Sequence, residues 1–208
     1  MILELVVVGA LAVNCYVVGS NKTLDAVVID PGDDAHKIIA AIQRHNLNLK
    51  YIILTHGHFD HVGAAKALKE ATGAHVLIHK SDEELLAHAE SSAAMFGMKA
   101  PPSPKPDGYM KEGDAISFGD LSMTVIETPG HTPGGVSLYM KKQGVVFTGD
   151  TLFWGSIGRT DLPGGDYKAI MNSLKNKLAH LPDSTTVLCG HGDETSIGFE
   201  KEQNPYLD

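Results

Sequence analysis

The sequence is poor in cysteine, with only Cys15 and Cys189 among 208 residues. The two cysteines are far apart and lack the CxxC spacing typical of a zinc or redox motif. Each stands in an apolar, strand-like run, which favours small buried thiols over a disulfide or a zinc-binding pair.

Positive charge is also scarce. Lys and Arg number 17 against 25 Asp and Glu, which gives a formal net charge of -8 at pH 7. Proteins that bind nucleic acid need an excess of cations to displace phosphate counterions, so no nucleic acid is expected as a partner. An anionic substrate would require a local basic pocket.

No apolar run is long enough to cross a bilayer. The most apolar opening stretch, residues 5–18, is interrupted by Asn14 and preceded by Glu4, whereas a transmembrane helix needs about 20 apolar residues. No basic segment followed by a small-residue cleavage site indicates a secretory signal. We therefore expect no membrane partner and a cytoplasmic location.

The length and the 43% hydrophobic content fit one globular domain covering residues 1–208. Apolar runs bounded by turn residues predict strands and helices that alternate in an α/β or α+β order. Strands are predicted at 3–8, 14–18, 26–30, 51–54, 74–78, 136–140, 145–148 and 186–189, with a hairpin over 114–126. Helices are predicted after a cap at Asp33 or Asp34 and ending at Asn46, over 62–72, from 81–84 onwards, and over 166–177.

Residues 85–109 are interpreted as a possible flap. A helical pattern is followed by four prolines within 100–106, a composition typical of a stiff exposed connection. The alternative is an ordinary surface helix whose Met and Phe side chains pack on the core. The candidate wall residues of a flap are Met95, Phe96, Met98 and Tyr109.

The densest group of potential metal ligands is the stretch THGHFDH at 55–61, directly after the predicted strand at 51–54. A loop in this position lies at the carboxyl end of a strand, where open α/β sheets bind ligands. In an extended loop His56 and His58 project to one side, while Asp60 and His61 can face a neighbouring point. The pattern therefore predicts two metal ions; the alternative is a polar loop in which Asp60 caps a helix.

Three further predicted strands end in a potential ligand. These residues are His131 in TPGHTPG, Asp150 in TGDT and His191 in GHG. A single histidine or aspartate in a turn is usually solvated or capping. Four strand ends that carry such residues, some framed by glycines that permit close backbone approach, favour one shared centre.

In order and spacing, HxHxDH followed by His131, Asp150 and His191 resembles the metallo-β-lactamase superfamily, over essentially the whole chain. The resemblance implies an α+β fold, an αββα sandwich of two mixed β-sheets flanked by helices. It also implies the role of each matching residue. His56, His58 and His131 resemble the ligands of one metal, Asp60, His61 and His191 those of a second, Asp150 the bridge, and Asp30 in IDPG a residue that supports the ligating imidazoles.

Within the superfamily, NCY at 14–16, GSIGRTD at 155–161 with PGG at 163–165, and NPY at 204–206 are similar to short bacterial glyoxalase II-like hydrolases. We do not expect the C-terminal helical domain that supplies glutathione contacts in longer glyoxalase II enzymes, so the thiol carrier stays open. Arg159 resembles the basic residue that binds a substrate carboxylate in these hydrolases. The alternative is a structural pair with Asp161, and the two roles are compatible.

Five imidazoles and two carboxylates without a thiolate suit two divalent ions, with Zn first and Fe or Mn as alternatives. Two metals about 3.5–4 Å apart can lower the pKa of a shared water so that hydroxide forms at neutral pH. We predict that this hydroxide attacks an S-2-hydroxyacyl thiol such as S-lactoylglutathione, with Asp60 as the catalytic residue that ligates and orients it.

The leaving thiol, with a pKa of about 8.5, departs without a strong general acid. The alternatives are an iron-dependent persulfide dioxygenase, a small lactone or ester hydrolase, and a non-catalytic module that uses the metal fold for binding.

Overall fold

Two six-stranded mixed β-sheets lie at the centre of the molecule, in a computed structural model that describes residues 1–207. The first sheet holds, in spatial order, β1 (Ile2–Val8), β2 (Val13–Gly19), β3 (Asp25–Ile29), β4 (Asn48–Ile53), β5 (His75–His79) and β6 (Gly108–Met110). Its first three strands are antiparallel, and β3 to β6 run parallel.

The second sheet is mostly antiparallel and is formed by the later part of the chain. Its strands are β7 (Ala115–Phe118), β8 (Leu121–Glu127), β9 (Val136–Met140), β10 (Val145–Gly149), β13 (Thr186–Cys189) and β14 (Thr195–Ser196), in the spatial order β14-β13-β10-β9-β8-β7. Among these pairs β10 and β13 are parallel. A separate hairpin pairs β11 (Leu152–Phe153) with β12 (Ser156–Ile157).

Seven α-helices accompany the sheets in the described part of the chain. They are α1 (Ala35–Arg44), α2 (Phe59–Val62), α3 (Ala65–Thr72), α4 (Glu83–Ala87), α5 (Ala89–Met95), α6 (Tyr167–Asn176) and α7 (Ile197–Gln203). Two 3-10 turns, Lys80–Asp82 and Leu178–His180, precede α4 and follow α6.

Alternation along the strands creates three apolar layers. Val28 of β3 packs in a layer with Ile38 of α1, whereas its neighbour Val27 belongs to the layer between the sheets. On the far side, Val146 of β10 packs with Ile170 of α6 in the third layer. This order of helix, sheet, sheet and helix confirms the αββα sandwich and the α+β class.

Several predicted boundaries are confirmed. The hairpin turn falls between β7 and β8, Asp166 caps α6 through its carboxylate, and Asn46 follows α1 in a left-handed conformation. Asp34 precedes α1 as predicted, but the side-chain cap is wrong: its carboxylate accepts from the Gly9 amide and from the Lys37 side chain, and from no backbone amide of the first helical turn.

The helix predicted over 62–72 is confirmed as α3, which ends at Thr72 but begins at Ala65. The chain forms α2 and α3 as separate helices, and the Ala64 amide between them donates to the carbonyl of Pro31. The acidic helix start predicted at 81–84 is confirmed, with Glu83 and Glu84 in the first turn of α4, but its cap is wrong: a 3-10 turn precedes α4, and the Asp82 carboxylate makes no capping bond.

The possible flap, residues 85–109, contains the end of α4, all of α5 and an irregular segment before β6. Met95 and Phe96 are exposed, and the Phe96 ring lies 5.8 Å from that of Phe59. Tyr109 lies in β6, where its hydroxyl donates to Glu83. A moving flap stays a prediction.

Candidate metal centre

All seven predicted ligands meet at one edge of the sandwich, each within a few residues of the end of a strand. Four come from the loop and short helix after β4: His56, His58, Asp60 and His61. The other three follow β8, β10 and β13 of the second sheet: His131, Asp150 and His191. Both halves of the chain therefore build one site.

The first cluster consists of His56, His58 and His131. One ring nitrogen of each lies within 4.8 Å of the others, close enough to hold one metal ion. His58 Nδ1 and His131 Nε2 approach to 2.9 Å. His56 and His131 are buried, and His58 is half-buried.

The second cluster consists of Asp60, His61 and His191, whose ligand atoms also lie within 4.8 Å of one another. The Nε2 atoms of His61 and His191 are 3.2 Å apart. Asp60 Oδ2 lies 3.7 Å from the first of these nitrogens and 3.5 Å from the second.

Asp150 touches both clusters. Its Oδ2 lies 3.6 Å from His131 Nε2 and 3.6 Å from His191 Nε2, and its Oδ1 lies 3.3 Å from His61 Nε2. This is the location predicted for a residue that bridges two ions.

The outer nitrogens of three imidazoles donate to fixed oxygens. These bonds run from Nδ1 of His61 to Asp30 Oδ2 (3.1 Å), of His131 to the carbonyl of Arg159 (2.8 Å), and of His191 to the carbonyl of Leu11 (3.0 Å). A proton held on Nδ1 leaves the Nε2 lone pair facing the centre, which is the tautomer that binds a metal.

Asp30 supports His56 as well, through Thr55. The Thr55 hydroxyl donates to Asp30 Oδ2 at 2.6 Å, so its oxygen accepts from His56 Nδ1 at 3.0 Å. Asp30 lies close enough to His56 and His61 to form a third potential cluster, but its oxygens already accept three hydrogen bonds. We interpret it as a supporting residue, as the sequence predicts.

The donor set fits divalent metal ions. Among the described residues, His56 Nε2 and Asp150 Oδ1 are buried without any hydrogen-bond partner, which is rare for buried polar atoms. Both belong to the groups defined above, and nitrogen and carboxylate donors without thiolate suit Zn, Fe or Mn. Metal coordination would satisfy both atoms.

Two histidines of the first cluster, His56 and His58, are held neutral. Burial lowers the pKa of His56 well below its usual value, and the neighbouring imidazoles lower it further. Burial, reinforced by His131, lowers the pKa of His58 to about 4. Their lone pairs are therefore available at neutral pH.

In the second cluster the pKa values of the histidines are raised. Burial alone would lower the pKa of His61, but the negative charge of Asp150 and the hydrogen bond to Asp30 raise it well above its usual value. In His191 burial is likewise outweighed, here by Asp60 and Asp150, and the pKa is raised. The pKa values of both carboxylates facing these imidazoles, Asp60 and Asp150, are lowered in spite of burial.

A cleft of about 270 Å³ opens beside Asp60. Its walls are the loop between β1 and β2, the start of α2, and the segment after α5; they include Leu11, Phe59, Met98 and Pro101. Of the four predicted wall residues, Met98 lines this cleft, whereas Met95, Phe96 and Tyr109 do not. Because Leu11 also binds His191 through its carbonyl, the cleft and the second cluster share one loop.

Arg159 lies on the surface beside the first cluster. Its Nε and Nη2 donate to both carboxylate oxygens of Asp161, at 2.7 and 2.8 Å, and this hydrogen-bonded cation lowers the pKa of Asp161 to about 2. The structural pair considered from the sequence is therefore present. The guanidinium role in substrate binding stays a prediction.

Sequence reasoning missed the residues that hold the His191 loop. Asn14 Nδ2 donates to the carbonyls of Cys189 (3.0 Å) and Gly192 (2.8 Å), and the Tyr16 hydroxyl donates to the former at 2.8 Å. A polar Asn inside an apolar strand was the available signal. No sequence signal marks the Leu11 carbonyl as a partner.

Both cysteines are free and buried, as expected. Burial raises the pKa of the Cys189 thiol to about 11 and that of Cys15 well above its usual value. No helix within residues 1–207 is long and apolar enough to cross a membrane.

Residues 8–191 match the family described as Metallo-beta-lactamase superfamily, the span that contains all seven candidate ligands. The chain belongs to the metallo-β-lactamase superfamily. As a hydrolase of this superfamily, it carries histidine and aspartate groups that can bind metal ions. The resemblance identified from the sequence is confirmed.

Relatives match over nearly the full chain. The protein is 43% identical over 206 residues to an uncharacterized protein of Aquifex aeolicus, covering 99% of this chain and 97% of the relative. It is 38% identical over 209 residues to hydroxyacylglutathione hydrolase GloC of Haemophilus influenzae, covering 100% of this chain and 98% of that enzyme.

Solved structures share the fold of this superfamily member closely. The B3 metallo-β-lactamase BLEG-1 superposes with a TM-score of 0.92 at 36% identity, covering 99% of both chains. A di-iron-bound form of TTHA1623 superposes with a TM-score of 0.91 at 42% identity, covering 98% of this chain and 100% of that one. ETHE1 from Myxococcus xanthus gives 0.83 at 30% identity, covering 99% and 84%.

Proposed function

We propose that this protein is a dinuclear thioester hydrolase of the glyoxalase II type, which cleaves an S-2-hydroxyacyl thiol such as S-lactoylglutathione. The observation that carries the proposal is the Asp150 carboxylate, which lies within 3.6 Å of imidazoles from both clusters. Full-length similarity to the hydroxyacylglutathione hydrolase GloC supports the substrate class.

Each cluster would hold one ion, with Asp150 between them. Zn²⁺ is our first expectation, and the di-iron form described for TTHA1623 keeps iron as the main alternative. When bound, two divalent ions would lower the pKa of a shared water toward neutrality and place positive charge beside the oxyanion that develops on the thioester carbonyl.

Asp60 orients the nucleophile. Its lowered pKa keeps the carboxylate ionised at neutral pH, so its oxygens can accept a hydrogen bond from the attacking water or hydroxide. Since Asp60 also lines the cleft, the same side chain lies where the substrate carbonyl must approach the clusters.

The cleft would receive one arm of the thioester. Leu11, Met98 and Pro101 provide apolar walls, and Lys99 is the one cation among the residues that line it. A substrate carboxylate could pair with Lys99 within the cleft or with Arg159 at the surface near His131.

No side chain is required to protonate the leaving group. A thiol has a pKa of about 8.5, so it leaves as a thiolate when the tetrahedral intermediate collapses. The chain's work is thus to hold the ions, orient the nucleophile and place the substrate.

The first test is the initial rate of S-lactoylglutathione hydrolysis by the purified protein, with bound metals counted on the same sample. We expect turnover with about two metals per chain. Turnover should disappear after chelation and return when metal is added back. A His180→Ala variant, in which an exposed histidine of a 3-10 turn is removed, is the matched control and should retain full activity.

Absence of turnover in fully metal-loaded protein would overturn the proposal. A single bound iron with oxygen uptake in the presence of a thiol persulfide would then identify a persulfide dioxygenase. Selective cleavage of lactones or simple esters would identify the third candidate, and inertness toward all of these substrates would favour a non-catalytic module.

A further inference from the structure

Asp82 is a fully buried carboxylate with three hydrogen bonds, none of them to its own helix. Its Oδ2 accepts from the Gly57 amide at 3.0 Å and from the Thr132 hydroxyl at 2.7 Å, and its Oδ1 accepts from the Gly134 amide at 2.6 Å. The partners lie 25 to 52 residues away in the sequence.

These partners belong to the two loops that carry the first cluster. Gly57 stands between His56 and His58, and Thr132 directly follows His131. One carboxylate therefore connects a loop of the first sheet with a loop of the second. Each histidine of the first cluster is adjacent in the sequence to a residue that donates to this carboxylate.

Close packing accompanies these bonds. A Cβ added at Gly57 would lie 2.8 Å from the Asp82 carbonyl oxygen, and a Cβ added at Gly134 would lie 2.7 Å from Asp82 Oδ1. Both approaches are too close for any other residue without displacement of backbone or carboxylate. The two loops therefore come within hydrogen-bond reach of Asp82 because each has a glycine at the contact.

We propose that Asp82 is a positioning residue for the first metal cluster, fixing the separation between the loop of His56 and His58 and the loop of His131. The proposal rests on the proposed metal site, and it concerns the affinity and geometry of that site rather than the reaction.

A carboxylate is required because all three partners are donors. An asparagine in its place keeps one acceptor oxygen and turns an NH₂ group toward an N–H or an O–H, which leaves buried donors unpaired. Burial raises the pKa of Asp82, while the same three donors act in the opposite direction.

Replacement of residues that support metal ligands typically lowers metal affinity about 10- to 100-fold. We expect a loss of this size in Asp82→Asn. The substitution should also change the coordination geometry. His58 Nδ1 and His131 Nε2 lie 2.9 Å apart in the wild-type structure, and without the Asp82 carboxylate their two loops would lose the hydrogen bonds that fix this separation.

The test is a Co²⁺ titration of the full chain, followed by visible absorption and carried out in a His191→Ala background so that only the first cluster keeps all its ligands. Adding Asp82→Asn should weaken Co²⁺ binding about 10- to 100-fold and alter the ligand-field bands. Binding within twofold of the parent with unchanged bands would overturn the proposal.

Glu200→Gln is the matched control in the same background. Glu200 is also fully buried and accepts from three donor residues, Gly155, Thr195 and Asn204, none of which is a member of the first cluster. The Glu200→Gln variant should have a lower unfolding temperature and unchanged Co²⁺ binding. An equal loss of Co²⁺ affinity in Glu200→Gln would overturn the specific role of Asp82.

Thr132 provides a second test that holds even if Asp82→Asn does not fold. Thr132→Val removes one of the three donors and should weaken Co²⁺ binding in the same direction, whereas Thr132→Ser should restore it to within twofold. Equal affinities in both Thr132 variants and the parent would contradict the proposal. Because the readout is metal binding, failure of thioester turnover would overturn only the proposed function.

Discussion

Asp30 Oδ2 lies 3.1 Å from His61 Nδ1, and both side chains are almost fully excluded from solvent. The same oxygen accepts from the hydroxyl of Thr55, which in turn accepts from His56. One carboxylate therefore sets the tautomers of two imidazoles that belong to different clusters.

Asp30→Asn should weaken metal binding at both clusters, by about 10- to 100-fold at the cluster of His61. The amide NH₂ group cannot replace Oδ2 as the acceptor for both His61 Nδ1 and the Thr55 hydroxyl that supports His56. Competition with a chromophoric chelator measures the affinities. Asp107→Asn is the control, since Asp107 accepts from Lys69 and from the Val76 amide in the first sheet. Normal affinity in Asp30→Asn would show that the imidazoles need no support from this carboxylate.

His191→Ala should reduce metal content from about two ions per chain to about one and remove most thioesterase activity. The variant removes one of the three ligands of the second cluster and leaves the first complete. Metal analysis and initial rates on one sample provide the measurement. Retained activity at one metal per chain would contradict the two-metal mechanism.

Arg159→Ala should raise KM for S-lactoylglutathione about three- to tenfold and change kcat by less than about twofold, if the guanidinium binds the substrate carboxylate. The His131 contact survives, because it uses the backbone carbonyl of Arg159. Asp161→Asn separates the two roles, since it weakens the pair while keeping the cation. An unchanged KM in Arg159→Ala would leave only the structural pair.

Metal affinity should depend on pH more strongly at the second cluster than at the first. The raised pKa values of His61 and His191 mean that an ion must displace protons there, so affinity falls as the pH is lowered from 8 to 6. The lowered pKa values of His56 and His58 mean that these two imidazoles are already neutral over this pH range, so an ion displaces no proton from them. Titrations at pH 6, 7 and 8 test the order, and loss of the first-cluster ion before the second would contradict it.

Asp166→Ala should destabilise the protein by about 1 kcal/mol, the usual cost of losing a helix N-cap. Asp166 Oδ1 accepts from the amides of Lys168 and Ala169 at the start of α6. Thermal unfolding should show a midpoint about 2–4 °C lower. Asp166→Asn keeps an acceptor oxygen and should be close to neutral; an equal loss in both variants would rule out the cap as the cause.

The grouping of the candidate ligands could be predicted because each of them closely follows an apolar strand. The stretch after β4 carries four of them within six residues. His131, Asp150 and His191 repeat the arrangement at other strand ends. The local sequence pattern was enough to predict that these residues share one site. The αββα sandwich was predicted only from the order of motifs that the chain shares with the superfamily.

The supporting contacts could not be predicted, because they join distant parts of the chain. Asp82 follows a serine at the start of a helical pattern and was predicted as part of a capped helix start, yet its partners are 25 to 52 residues away. The carbonyl of Leu11 has no sequence signature at all. The break between α2 and α3 likewise depends on the Pro31 carbonyl, which lies in another loop.

Each cluster takes two ligands from the first sheet's loops and one from the second's: His56 and His58 with His131, and Asp60 and His61 with His191. Neither sheet alone can offer a complete site, so tight binding has to wait until the sheets have docked. By mass action, free metal that binds only the docked sandwich shifts the folding equilibrium toward it, and a chelator reverses the shift. The rate of metal uptake during refolding therefore reports the rate at which the two sheets dock.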